Sequence, residues 1–233
     1  AEVTITDQRS AEELASSLEQ LSTLTFQAHL GGHSHDDFAE ADLVVVNPAV
    51  PQPWLNPYLQ TARQAGIPLT TEIDLLVRRL DRKRCIGITG TAGKSTTASM
   101  VHHLLESSGT RAVLGGNIGG SLLPSLDAID ATTWVVLELS SAQLYWLDHC
   151  SQWSPRIAGT TNVAPNHIDW HGDEEHYRAC KDAIHKHQMD GDTWIDGTSL
   201  HPADCRLSVP GTHNRCNAAL AIAIAQATKH DID

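Results

Sequence analysis

No run of apolar residues in this chain is long enough to cross a bilayer; the longest, around Val44 and Val135, end after a few positions, which excludes a membrane-spanning helix. CxxC spacing is missing too. The five cysteines, Cys85, Cys150, Cys180, Cys205 and Cys216, are odd in number and scattered, a distribution that fits reduced thiols in a cytoplasmic protein and not a disulfide frame. Positive charge is scarce: 16 Lys and Arg against 28 Asp and Glu give a formal net charge of −12. A polyanion is repelled at long range by such a chain, so neither nucleic acid nor stable membrane association is expected, and any anionic ligand must be held by local loops and metal. No internal repeat, low-complexity tract or signal peptide is found in the 233 residues, and the chain is expected to be soluble. Histidine, by contrast, is abundant. Most of the fourteen, including His102, His103, His185 and His187, fall on helical faces with no ligand partner nearby in sequence and read as solvated surface.

Strand and helix signals alternate along the chain. Residues 3–6 have strand composition, and Leu14, Leu18 and Leu21 then recur at helical spacing over about 11–21 after the cap-competent Ser10. Residues 42–47 carry three consecutive valines, as a parallel strand covered on both faces requires. Prolines 48, 51 and 53 mark its exit; a helix over 56–64 stops near Gly66, and a short strand follows at 67–69. This β-α-β order predicts an α/β fold with a doubly wound, mostly parallel sheet. A linking helix over 72–79 runs into the charged cluster 78–84, the natural boundary between a first domain, 1–80, and a second, 85–233. In the second, strands are expected at 112–114, 134–139 and 157–160, and helices at about 95–107, 174–187 and 214–228. Near Gln188 and Met189 a helical pattern stops and a strand-like TWIDG begins with no proper connection, which suggests a gap in the chain.

The most specific segment is GITGTAGKSTT, residues 87–97, where a short apolar strand enters a glycine-bracketed loop that opens a helix. Gly90 and Gly93 permit backbone conformations closed to residues with a Cβ, so successive N–H groups can face an anion at the helix N-terminus. Lys94 adds a mobile charge for outer phosphates, and Ser95 or Thr96 offers a hydroxyl to Mg²⁺. The strict P-loop spacing would place its first glycine where Ile88 stands, so the loop is a variant.

Ligands of open parallel sheets lie over the carboxyl ends of the strands, which makes the polar residues there the candidates for chemistry. LGGNIGG, 114–120, sets Asn117 between paired glycines. ELSSAQL, 138–144, sets Glu138, two serines and Gln143 after the next strand, and Glu138 is the natural Mg²⁺ partner beside bound phosphates. TNVAPNHID, 161–169, crowds Asn162, His167 and Asp169 into one loop after a third strand. On these residues alone three readings stand: a phosphoryl-transferring enzyme, a nucleotide-gated switch or transport ATPase, and a non-catalytic nucleotide-binding module.

Taken together, these segments resemble the Mur ligase superfamily; GGNIG with ELSSAQL narrows the resemblance to its D-glutamate-adding branch, whereas the phosphate loop alone also suits a folylpolyglutamate synthetase-like enzyme or another Mur-type ligase. The order of TDQR, NPAVP, TEIDLL, the phosphate loop, NVAPNHID, YRACKDAI and GTHNRCNA extends the likeness over nearly the whole chain. It implies a Rossmann-like N-terminal domain whose first strand is missing here, then a P-loop-type central ATPase domain, with the family's C-terminal domain absent. It also implies an ATP-dependent amide-bond ligase that joins D-glutamate to UDP-N-acetylmuramoyl-L-alanine through an acyl phosphate in peptidoglycan precursor synthesis.

Residue by residue, the resemblance gives ATP to Gly90, Thr91, Gly93, Lys94, Ser95 and Thr96 with His213, Asn214 and Asn217. Two Mg²⁺ ions fall to Ser95, Glu138, His167 and Lys181, the last as a carbamylated lysine, and the catalytic set is Lys94, His167 and Lys181. Asn117, Ser140 and Gln143 would contact the UDP-sugar, while Asp7 and Asn47 would line a uridine pocket. Four positions depart from the usual pattern: Ala92 stands for asparagine, Asn166 for an acidic residue, and Asn47 and Ala49 for serine and glycine. Each removes a polar contact or a charge, so a change in affinity is expected with the chemistry retained.

Overall fold

The structure is a computed structural model that describes residues 1–228, so the last five residues of the expected second domain, 229–233, lie outside the described residues. One unit comprises residues 1–45 and 52–69, and a second comprises 46–51 and the chain from 70 onward.

In the first unit the order is β1 (Thr4–Asp7), α1 (Ala15–Gln20), β2 (Gln27–Leu30), α2 (His35–Ala39), β3 (Val44–Val45), α3 (Pro57–Gln64) and β4 (Leu69–Thr70). β1 pairs in parallel with β2, Thr4 opposite Gln27, and β3 pairs with β4. The β-α-β unit therefore closes one strand earlier than the valine run suggests, and two two-stranded sheets replace the single doubly wound sheet expected here. The valines do not form a strand covered on both faces: β3 has two residues, and Val45 is 56% exposed. Ser10 caps a turn and not the expected helix, whose N-cap is Leu14 with no side-chain cap bond. The Ser10 amide donates to Glu13 Oε2 at 2.8 Å and Glu13 N donates back to Ser10 Oγ at 3.3 Å, although regular helix starts only at Ala15. α3 follows the simplest sequence logic, with the Asn56 carboxamide accepting from Tyr58 and Leu59 N–H and Pro57 at the first helical position.

The second unit runs α4 (Glu72–Val77), β5 (Cys85–Thr89), α5 (Lys94–Ser107), β6 (Ala112–Gly116), β7 (Trp134–Glu138), α6 (Ser141–Cys150), β8 (Ile157–Thr160), α7 (Ile168–His171), α8 (Glu174–Lys186), β9 (Thr193–Asp196) and α9 (Thr212–Ala227). Its sheet has five parallel strands in the order β6-β7-β5-β8-β9. Every residue of β5, β7 and β8 is buried, and the two-residue period of a strand divides them between two apolar layers. Ile86, Ile88, Trp134 and Val136 face Val101 and Leu105 of α5 and Leu220 and Ile224 of α9. Cys85, Val135, Leu137 and Ala158 face Ile73, Leu76, Leu144, Leu147 and Ile184 of α4, α6 and α8. Helices on both faces force the connections to cross from one strand end to the other, which gathers the β-to-α loops along a single sheet edge.

Around Gln188 and Met189 the backbone forms a hydrogen-bonded turn. Asp192 N donates to Met189 O at 2.9 Å, Met189 N donates to Asp192 Oδ2 at 2.7 Å, and the Gln188 side chain bridges Pro155 O and Thr193 O. Asp192, with its side chain 2% exposed, also pairs with Arg82 at 2.5 Å and Arg156 at 3.0 Å. The sequence carries no apolar signal here because the turn is held by charge and by one carboxamide. Among the described residues no helix is long and apolar enough to cross a membrane.

Candidate functional site

The loop between β5 and α5 takes its shape from two glycines. Gly90 has φ +143° and Gly93 φ +86°, and a Cβ on the first would overlap Thr161 Oγ1, on the second Asn217 Oδ1. Gly93 caps α5, so the first intrahelical bond is Thr97 N–H to Gly93 O at 2.9 Å, and the amides before it have no intrahelical acceptor. Not all of the loop is free to face an anion, however: Thr91 N donates to Asn162 O at 2.8 Å and Ala92 N to Asn162 Oδ1 at 3.2 Å. The Thr91 hydroxyl lies 2.9 Å from that of Tyr177 and bonds Ala164 O at 3.0 Å. Lys94 Nζ folds back to Thr91 O at 3.2 Å.

A cavity of about 520 Å³ in the second unit opens beside this loop, and four chain segments at the carboxyl edge of the sheet line it. Gly90, Thr91 and Lys94 come from the phosphate loop, Asn117 follows β6, Ser140 and Gln143 follow β7, and His167 follows β8; Lys181 and Tyr177 reach it from α8, and Asn47 from the 46–51 segment. Nine of the residues assigned to a site from the sequence thus share one cavity, and Asp169, from the same loop as His167, lines it as well. Ser95 and Thr96 lie in the first turn of α5 without lining it, and neither do Gly93, Asn214 and Asn217, which cluster where α5 meets α9. Asn214 bonds Pro210 O at 2.9 Å, and His213 is exposed. Asp7, in the first unit, is engaged by Arg9, whose Nε and Nη2 donate to its two oxygens at 3.2 and 3.0 Å.

Behind Asn117 sits Glu138, 2% exposed at the end of β7. Asn117 Nδ2 donates to its Oε1 at 3.1 Å, while Oε2 is buried with no hydrogen-bond partner among the described residues. A buried carboxylate oxygen left over in this way is costly unless a cation takes it, so Glu138 fits a hard divalent ion. Ser140 and Gln143 form a capping box, Gln143 N to Ser140 Oγ at 3.2 Å and Ser140 N to Gln143 Oε1 at 3.0 Å. That pair starts α6, a helix not anticipated from the sequence, and leaves the Gln143 NH₂ as its donor toward the cavity.

Lys181 is the largest departure from sequence expectation. A lysine on a helix is by default solvated, yet this one is 2% exposed, with Nζ 4.8 Å from the Tyr177 ring centre and no ion-pair partner among the described residues. Burial, then the nearby positive charge of Lys94, brings its amine down to about 7, so a large neutral fraction exists at neutral pH. The Tyr177 hydroxyl is pushed up by burial. His167, exposed at φ +52°, holds a left-handed backbone conformation that a histidine adopts at a cost, at the start of α7.

Among the histidines expected on solvated faces, His102 Nε2 lies 3.2 Å from Ala112 O, His187 pairs with Asp148 at 2.5 Å, and His185 packs on Trp194 at 4.2 Å; only His103 stays largely in solvent. The structure also brings in residues the sequence reading passed over: Ser141, His171, His176, Tyr177 and Cys180. His171 recurs four residues after His167, and Tyr177, Cys180, Lys181 and Ile184 fall at helical spacing, a stripe that marks the buried face of α8.

Residues 88–198 match the Mur ligase middle domain. The chain is 43% identical over 192 residues to the UDP-N-acetylmuramoylalanine–D-glutamate ligase of Roseiflexus sp. strain RS-1, over 82% of this chain and 40% of that protein. It is 38% identical over 192 residues to the enzyme of the same name from Geobacter metallireducens, over 82% and 41%. It spans about 40% of the length of these curated relatives. The crystal structure of a UDP-N-acetylmuramate:L-alanyl-gamma-D-glutamyl-meso-diaminopimelate ligase from Neisseria meningitides shares the fold, with a TM-score of 0.62 at 16% identity over 97% of this chain and 86% of that one. With the strand-end residues gathered around one cavity and sequence identity of this extent, residues 88–198 of this chain form a Mur ligase middle domain.

Proposed function

We propose that this chain carries the ATP-handling part of an ATP-dependent ligase that joins D-glutamate to UDP-N-acetylmuramoyl-L-alanine, in the cytoplasm, during peptidoglycan precursor synthesis. The observation that carries the reading is the convergence on one cavity of Lys94, His167 and Lys181, with the unpartnered Glu138 oxygen immediately behind it. The curated relatives' names, at 35% identity and above, support the choice of substrates. In domain terms, we read residues 1–80 as a Rossmann-like substrate domain and 85–233 as the P-loop-type ATPase domain. Among the described residues no disulfide joins any of the five cysteines, which agrees with a reducing compartment.

In this reaction a carboxylate of the UDP-sugar substrate attacks the γ-phosphoryl group of ATP, and an amine then displaces phosphate from the acyl phosphate. Two anions must approach, so the contribution of the protein is chiefly positive potential and positioning. Lys94 and the amides of the first α5 turn face the phosphates, with Ser95 and Thr96 hydroxyls at the same turn and Asn214 and Asn217 beside it. Glu138, His167, Ser95 and a carbamylated Lys181 are the residues that would hold Mg²⁺, which would supply charge neutralisation for the phosphates. Lys181 suits that modification because its buried, partly neutral amine is a nucleophile toward CO₂, and the product is an anion placed opposite Lys94. Asn117, Gln143 and Asn47 orient the sugar nucleotide through their carboxamides, and Ser140 holds Gln143 in place; His213 completes the nucleotide contacts.

ADP release by the protein, measured with and without UDP-N-acetylmuramoyl-L-alanine and D-glutamate, tests the assignment. Turnover that requires both substrates is expected. Steady ATP hydrolysis indifferent to the amine acceptor would favour a switch or transport ATPase and end the ligase reading.

A further inference from the structure

His171, His176 and Cys180 meet where α7 gives way to α8, and their ligand atoms all lie within 4.8 Å of one another. His171 Nδ1 is 3.0 Å from His176 Nδ1, and Cys180 Sγ is 3.7 and 3.8 Å from the two nitrogens of His176. His176 and Cys180 are four apart on α8 and so share a face. Asp173 caps that helix by accepting from His176 N at 2.8 Å, which fixes the backbone carrying the second histidine. On the far side of the first histidine, His171 Nε2 lies 2.9 Å from Ser141 Oγ, an outer partner that turns Nδ1 toward the other two groups.

The nitrogen–nitrogen and His176–Cys180 separations are close to those of a tetrahedral metal site, and the third pair lies within 4.8 Å. Bond lengths of about 2.0–2.1 Å to nitrogen and about 2.3 Å to sulfur place two nitrogens about 3.3 Å apart and nitrogen and sulfur about 3.6 Å apart. A thiol beside an imidazole is otherwise a weak hydrogen bond, and two imidazole nitrogens in contact can share only one proton. Burial, with help from neighbouring positive charge, brings the His171 imidazole down to about 4, and burial also lowers that of His176, so both rings carry a lone pair at neutral pH.

We propose that His171, His176 and Cys180 bind a borderline-soft divalent cation, Zn²⁺ by the chemistry of the donor set, with its fourth position open toward the cavity that His171 lines. The site is distinct in kind from the Mg²⁺ positions read above, because Mg²⁺ takes oxygen ligands and this cluster offers two imidazoles and a thiol. Both imidazoles coordinate through Nδ1 and keep their protons on Nε2, that of His171 being donated to Ser141. The Cys180 thiol gives its proton to solvent as the metal–sulfur bond forms, so one proton leaves per ion bound. The ion ties α7 to the second turn of α8, one residue before Lys181.

The test uses Co²⁺ as a spectroscopic probe on the chelator-stripped protein. One equivalent should give a thiolate-to-cobalt charge-transfer band and the intense d–d bands of a four-coordinate ion, unaffected by excess Mg²⁺ and abolished by one equivalent of Zn²⁺. Cys180→Ser should lose the charge-transfer band, and His176→Gln should weaken binding at least ~10-fold. Zn²⁺ should raise the thermal midpoint of the wild-type chain and not that of Cys180→Ser. Far-UV circular dichroism establishes that each variant is folded, and if His176→Gln is not, the near-isosteric Cys180→Ser decides alone. No charge-transfer band, or one that persists in Cys180→Ser, would overturn the proposal.

Discussion

Replacing Lys181 with methionine should make the chain more stable and, on the ligase reading proposed above, abolish ADP release. Burial, with the positive charge of Lys94 next, moves this amine from an ordinary 10.5 to about 7. Each unit of displacement is worth about 1.4 kcal/mol between protonation states, so at pH 7 the lysine costs the fold on the order of 4 kcal/mol. Methionine fills a similar volume beside the Tyr177 ring without that cost. Allowing for relaxation around the amine, we expect a gain of about 2–4 kcal/mol, or roughly 5–10 °C in thermal midpoint for a chain of this size.

The sign follows from proton counting. Below pH 7 the amine is protonated in both states and the full cost persists. Between 7 and 10.5 the unfolded chain holds a proton that the folded chain has released, so wild-type stability rises with pH across that window. The methionine variant should lack this rise. Urea unfolding at pH 6, 8 and 10, in CO₂-free buffer with chelator, measures both effects. A variant less stable than wild type at pH 7, or two pH profiles that run parallel, would refute the argument. Addition of bicarbonate and Mg²⁺ should then stabilise the wild-type chain and leave the variant unchanged.

Asp192→Ala removes the carboxylate shared by Arg82 and Arg156; since both arginines keep about a fifth of their surface in water, the loss should be about 2–3 kcal/mol by urea unfolding, below the full cost of a stranded buried charge. Burial raises the Asp192 carboxyl, but hydrogen bonds from Arg82, Met189 and Arg156 outweigh it and hold it below its ordinary value, so this stability is present above pH 4 and declines as pH falls through the lower folded value. Gly93→Ala forces a Cβ at φ +86° against Asn217 and should cost about 1–3 kcal/mol in thermal unfolding and impair nucleotide binding with it. Glu138→Gln should leave the fold intact and lower Mg²⁺-dependent ADP release by about two orders of magnitude, a loss not restored by raising Mg²⁺.

The cavity-bearing edge of the sheet was legible because burial and chemistry both leave marks on short segments. The apolar runs of β5, β7 and β8 announce strands covered on both faces, and after each one come residues that line the cavity. β2 left no such mark: QAHL is mostly exposed and is held by parallel pairing with β1, a contact no local pattern encodes. The Val44–Val46 run carried the apolar signal of a central strand but lies at a place where only two residues pair, so composition overstated its role. α6 was readable in principle from the Ser140-to-Gln143 spacing of a capping box, which the functional reading of those same residues obscured. Burial of Lys181 could have been seen in the stripe of Tyr177, Cys180 and Ile184 around it, whereas the turn at 188–192 could not, since Asp192 finds Arg82 only through the tertiary fold.

Titration calorimetry of ATP into the chain, with and without Mg²⁺, tests the central claim most directly. One Mg²⁺-dependent site is predicted, with affinity falling ~10- to 100-fold in Lys94→Ala as a charge-assisted contact to phosphate is lost. Equal binding by wild type and Lys94→Ala, or no uptake of ATP by either, would contradict the assignment of residues 90–96 as the phosphate cradle.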